Sequence, residues 1–141
     1  MLQAISCFFL TGLIWTIQLV HYPSFQWVED DKFTMFAKFH SARISILVVP
    51  AMLIELVTAV MLIYTPTPLL TSRPVLLMNV AGVVFIWIST FLFSVPCHSK
   101  FKLGTSKKLI FRLVATNWPR TIIWSLRSLL WFVIIKRSLL V

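Results

Sequence analysis

Residues 43–64 read RISILVVPAMLIELVTAVMLIY. The run is apolar over about the 20 residues that a helix needs to cross a hydrocarbon core of roughly 30 Å, with one carboxylate, Glu55, near its middle. Residues 2–20, 74–95 and 119–135 form three more runs of similar length and character. In a bilayer no water satisfies the backbone, so helix is the default. The chain therefore predicts an all-α polytopic membrane protein, a bundle of four transmembrane helices in a single domain spanning 1–141. Composition points the same way. Of the 141 residues 59% are hydrophobic and 12% charged, against roughly 45–50% and about 25% in soluble domains, and one small core cannot hide that excess. The first run has no charged leader or small-residue cleavage site and is followed by His21-Tyr22-Pro23, so it reads as a retained span.

The connections are informative. Thr65-Pro66-Thr67-Pro68 breaks the helix and leaves a short turn, making the second and third spans antiparallel neighbours. Asp30-Asp31 reads as a cap for a helix in which Phe33, Phe36 and Phe39 recur at helical spacing. The second helix should thus start near residue 31 and project from the membrane. Thr105-Ser106 likewise caps a helix from about 106 through Lys107, Lys108 and Arg112, which Pro119 should kink or restart as the fourth span.

Thirteen Lys and Arg against four Asp and Glu give +9. These charges flank the apolar runs and form no separate basic face, which excludes nucleic acid and points to anionic headgroups. Lys32, Lys38, Arg43, Lys100, Lys102, Lys107, Lys108, Arg112 and Arg120 fall on the side of the first and third loops, and Arg73, Lys136 and Arg137 on the other. By the positive-inside rule, the first and third loops are cytoplasmic in a bacterial-type inner (plasma) membrane.

The polar residues repeat. His21, His40 and Arg43 recur in the same order and spacing as His98, Asn117 and Arg120, as two parallel hairpins related by an axis along the membrane normal would require. Topology puts His21, His40, His98, Asn117 and Arg120 at one membrane face. Three histidines at one level are candidate ligands for a transition metal or axial ligands for haem; the alternative is interfacial histidines bonded to loop backbone. Arg43 and Arg120 are candidates for clamping a phosphate- or carboxylate-bearing amphiphile; the alternative is snorkelling against anionic lipid.

Glu55 and Arg127 are the lone charges deep in their spans. Unpaired, each costs at least ~2.5–3.5 kcal/mol on insertion scales, so they should form an intramembrane ion pair, either locking two helices together or leaving Glu55 a proton-relay or substrate role. Cys7 and Cys97 lack any metal-type spacing and read as buried free thiols. Tyr22, Trp27, Tyr64, Trp118 and Trp131 fall near the interfaces. Trp15, Trp87 and Trp124 lie deeper, as packing or as pocket walls for a flat ring system. There is no Gly-rich phosphate loop, nucleophile elbow or Ser/His/Asp pattern to support nucleotide chemistry or classical hydrolysis.

Two segments, Arg43-Ile-Ser-Ile-Leu-Val-Val-Pro50-Ala-Met52 and Phe111-Arg112-Leu-Val-Ala-Thr-Asn117-Trp-Pro119, resemble parts of two groups of small bacterial four-helix membrane proteins. These are the haem-binding protoporphyrinogen oxidase family and the anthrone-oxygenase-like proteins. The resemblance covers about a third of the chain and implies redox chemistry. The first span lacks the early histidine at which the first family would lead one to seek a haem ligand, and no catalytic motif of the second is matched.

Three function classes follow. The first is a membrane oxidoreductase or oxygenase with a metal or haem on His21, His40 and His98, acting on an amphiphile. The second is a cofactor-free enzyme or carrier that binds a lipid- or isoprenoid-like anion through Arg43 and Arg120, with His40 or His98 as general base. The third is an accessory subunit of a larger membrane complex; a homo-oligomer is also compatible with the apolar faces.

Overall fold

The structure is a computed structural model, which describes residues 1–65, 72–101 and 106–140. Among them the backbone is almost entirely helical, with no strand. Four rods account for almost all of it: α1 (Leu2–Trp27), α2 (Asp30–Tyr64), α3 (Arg73–Phe101) and α4 (Lys107–Leu139). Each packs against its two neighbours in chain order, and α4 returns to α1, closing a ring.

The local chemistry explains several features that the sequence left out. Proline cannot donate the backbone bond an α-helix needs, and α1 and α3 absorb Pro23 and Pro96 by widening just before them. Ile17–His21 and Thr90–Ser94 are π turns. Each is closed from the residue preceding the proline: Tyr22 N–H donates to the Ile17 carbonyl, and Val95 N–H to that of Thr90. As a result α1 continues beyond the expected stop at His21-Tyr22-Pro23. Pro50 and Pro119 lie inside α2 and α4 without ending either helix, so no restart occurs at Pro119.

The N-cap of α2 is Glu29, with no side-chain capping bond. Asp30 and Asp31 instead occupy the first turn, where their charges complement the helix dipole. Ser106 is the N-cap of α4, again without a side-chain bond. Thr105, Lys102 and the Pro66–Pro68 turn lie outside the described residues.

Burial is inverted relative to a soluble bundle. Phe9, Leu19, Ile46, Leu53, Phe85, Phe91, Leu126 and Phe132 are exposed, whereas Gln3, Gln18, Glu55, Asn79, Asn117, Arg120 and Arg127 are buried. Two apolar clusters flank a polar middle. One gathers Cys7, Leu10, Ile14, Met52, Ile86, Trp124 and Trp131. The other gathers Ile17, Tyr22, Phe25, Phe33, Phe101 and Leu113, and in it Phe25, Phe33 and Phe101 meet edge to face with centroids 5.2–6.1 Å apart. Such pairs add about 0.5–1.5 kcal/mol beyond area burial. Tyr22 and Trp131, expected at the interfaces, belong to these clusters because the ring closes over them.

Small hydroxyls stitch α1 to α4: the Thr11 and Ser128 hydroxyls lie 2.7 Å apart and Trp15 Nε1 donates to Ser125 Oγ at 3.0 Å. Three rods, α1, α2 and α3, are long and apolar enough to cross a membrane. The fourth carries Arg120 and Arg127 in its middle, both turned inward.

Candidate functional site

The buried polar groups form three tiers along the bundle. In the first, Arg127 Nη1 of α4 meets Glu55 Oε1 of α2 at 2.5 Å, with both side chains buried. Trp124 Nε1 also donates to the carboxylate, at 3.2 and 3.3 Å to its two oxygens. Arg127 Nε and Nη2 donate to Asn79 Oδ1 of α3 at 3.2 and 3.1 Å. Gly82 makes this possible, since a Cβ there would lie 2.7 Å from Arg127 Cδ. A desolvated charge needs such a full set of partners. Asn79 was not marked by the sequence, because one neutral amide in an apolar helix carries no periodic signal; Trp124, expected as packing or as a pocket wall, also lines the cavity described below.

In the second tier, Asn117 is fully buried and donates to Gln18 Oε1 at 2.7 Å. Its own carbonyl oxygen accepts from an Arg120 terminal nitrogen. Arg120 Nη1 donates to Thr90 Oγ1 at 3.1 Å, and Gln18 Nε2 donates to the Val114 carbonyl at 3.2 Å. Arg120 is 5% exposed. All its bonded partners are neutral, and no carboxylate pairs with it among the described residues. The chain has only four Asp and Glu: Glu55 is committed to Arg127, and Glu29, Asp30 and Asp31 are exposed at the start of α2.

The third tier holds the histidines. His21 Nε2 and His40 Nδ1 are 2.6 Å apart, and the ring centroids of His40 and His98 are 5.5 Å apart. His98 Nε2 faces the Tyr22 hydroxyl at 3.2 Å, and its Nδ1 lies 3.5 Å from Ser41 Oγ. Burial, aided by the neighbouring imidazoles of His21 and His98, pushes His40 down to about 3. Burial, with Arg120 and His21 nearby, pushes His98 down to about 4. Burial also lowers His21 and raises the Tyr22 phenol. All three rings are therefore neutral near pH 7.

His21, His40 and His98, expected as a three-ligand centre, stand together at this end of the bundle. Among the described residues no three His, Cys, Asp or Glu side chains converge on a metal position. His21 and His40 spend a nitrogen on each other, and both nitrogens of His98 face hydroxyls. Nor do the two arginines meet. Arg43 is exposed and stands over the Phe39 ring, with its guanidinium carbon 5.5 Å from the centroid. Helix α2 is apolar all round, so the sequence could not give the face on which Arg43 falls.

Beside the second and third tiers lies a cavity of about 370 Å³. Its walls are apolar, from Leu10, Leu13 and Ile14 of α1, Ile44, Val48 and Met52 of α2, and Trp87, Phe91 and Val95 of α3. Tyr22, Ser45, Thr90, Ser94, His98 and Arg120 form its polar lining. The exposed lining residues Ser45, Val49, Phe91 and Val95 place its mouth between α2 and α3. The π turn at Thr90–Ser94 lies in this wall. Three buried polar atoms of the lining have no partner among the described residues: Arg120 Nε, Ser94 Oγ and Trp87 Nε1. The polar residues at 90 and 94 escaped the sequence reading, although Pro96 just beyond them was a visible signal. No family model, no curated protein and no solved structure matches the chain.

Proposed function

We propose that the chain is an integral membrane protein that takes an anionic amphiphile from the bilayer into the cavity between α2 and α3. All four rods cross the membrane as two parallel hairpins, and the histidine tier faces the cytoplasm of a bacterial-type plasma membrane. The exposed apolar belt supports insertion. The fourth rod is tolerated because Arg120 and Arg127 point into the bundle, where intramembrane charges are accommodated.

The observation that carries the binding role is Arg120: a buried guanidinium with no carboxylate partner at the polar end of an apolar cavity. An uncompensated buried charge costs several kcal/mol, and an anionic headgroup offsets that cost while its chain lies along Ile44, Val48, Met52 and Trp87. Neutral His98 lines the same end and serves as the acid–base group for a reaction on the head. His40 stands behind it. Arg43 sits at the membrane surface, against lipid headgroups.

Analysis of the lipids extracted from protein purified in mild detergent tests this reading. Wild type should retain one anionic amphiphile per chain, and Ser45→Trp, which fills the mouth, should lose it. Bulk lipid in the same ratio for both proteins would contradict it. An absorption spectrum and metal analysis of the same sample separate it from the oxidoreductase reading, which requires a Soret band or stoichiometric metal.

A further inference from the structure

We infer that the head held at Arg120 is a single carboxylate on a single alkyl or isoprenoid chain. This inference rests on the cavity reading and narrows it by charge, donors and width.

The charge available is one. Among the described residues Arg120 is the only Lys, Arg, Asp or Glu side chain in the lining, and Glu55 and Arg127 neutralise each other a tier away. One negative charge balances the site, whereas the second charge of a phosphomonoester would be buried without a partner, at a cost of several kcal/mol. The two histidines nearest the head, His98 and His40, are neutral and supply no second positive charge.

The free donors suit a flat acceptor. A guanidinium has five N–H groups in a planar fork that matches a carboxylate edge to edge. Thr90 and Asn117 engage only the terminal nitrogens, and Nε is buried and unpartnered. Ser94 Oγ, also unpartnered in the lining, adds a donor from the π turn of α3 that carries Thr90. A carboxylate has about four acceptor positions for this set. At about 370 Å³ the cavity stands at the small end of ligand pockets and suits one chain.

Three ligands that share a chain and differ only in the head decide the matter: dodecanoate, dodecyl phosphate and dodecanol, titrated calorimetrically into the protein in nanodiscs of zwitterionic lipid. The titrations are run at about pH 8, where both acids are ionised. Dodecanoate should bind one per chain, about tenfold or more tighter than either analogue. Ser94→Ala, which keeps the wall and removes one donor, should weaken dodecanoate about tenfold with its melting temperature unchanged. Equal or tighter binding of dodecyl phosphate overturns the carboxylate and leaves the anion-binding reading standing, as does two-chain phosphatidylglycerol retained at the site; equal or tighter binding of dodecanol overturns both. If none of the three saturates, or if Ser45→Trp binds as wild type does, both fall.

Discussion

Two arginines two turns apart on α4 have opposite surroundings. Arg127 meets a carboxylate, an amide oxygen and a glycine that clears its path. Arg120 meets an amide and hydroxyls but no carboxylate among the described residues, and opens onto a cavity. Both are buried to the same degree. Burial alone therefore does not separate a structural charge from a binding one; the partner set does. Arg127 is complete without a ligand and holds α2, α3 and α4 together. Arg120 is held in place by neutral groups and keeps its charge for something else.

The largest expected effect comes from breaking the complete site. Glu55→Ala leaves Arg127 buried without its counter-charge and should destabilise the protein by about 3–5 kcal/mol, read as a loss of unfolding free energy in detergent micelles. Glu55→Gln with Arg127→Leu should cost less than the two single changes summed; strict additivity would show that the pair carries no coupling.

Next comes the glycine. Gly82→Ala drives a methyl group into Arg127 and should cost about 1–3 kcal/mol. At Gly12, where a Cβ meets nothing within 4 Å, the same change should stabilise the helix by roughly 0.5–1 kcal/mol. Equal effects at the two positions would remove Gly82 from the Arg127 site.

The histidine tier adds a pH dependence of definite sign. His40 and His98 are held at about 3 and about 4, below the ordinary value near 6.5, so the unfolded chain binds more protons than the folded one between those limits. Their contribution is intact above about pH 6.5 and is lost as the pH falls toward 4 and below. The melting temperature should drop over that window, and His40→Gln should flatten the drop. A wild-type curve flat down to pH 4 contradicts the burial of these rings. The smallest stability effect is expected at Arg120→Gln, within about 1 kcal/mol of wild type, since the change removes a charge that has no counter-charge.

Much of the frame was legible because it rests on strong, one-dimensional signals. Long apolar runs mark the rods, and two lone charges in such runs, Glu55 and Arg127, demand a partner. Topology alone puts His21, His40 and His98 at one end, where the structure brings them together. What escaped depends on rotation about a helix axis and on groups without charge. Arg43 and Arg120 have the same local pattern, yet one faces out and the other in. Gln18, Asn79 and Thr90 complete the tiers as neutral donors and acceptors, which no spacing rule picks out. The π turns displace the side chains around Pro23 and Pro96, so ideal helical spacing misplaces the groups at Thr90 and Ser94.

The most direct measurement is native mass spectrometry of wild type, Arg120→Gln and Glu55→Gln, with the melting temperature of each preparation. The expected result is a bound amphiphile in wild type, its loss in Arg120→Gln at nearly unchanged melting temperature, and a large fall in melting temperature for Glu55→Gln. If Arg120→Gln keeps the ligand, or melts as early as Glu55→Gln, then Arg120 is a second structural charge and the cavity beside it is not its site of action.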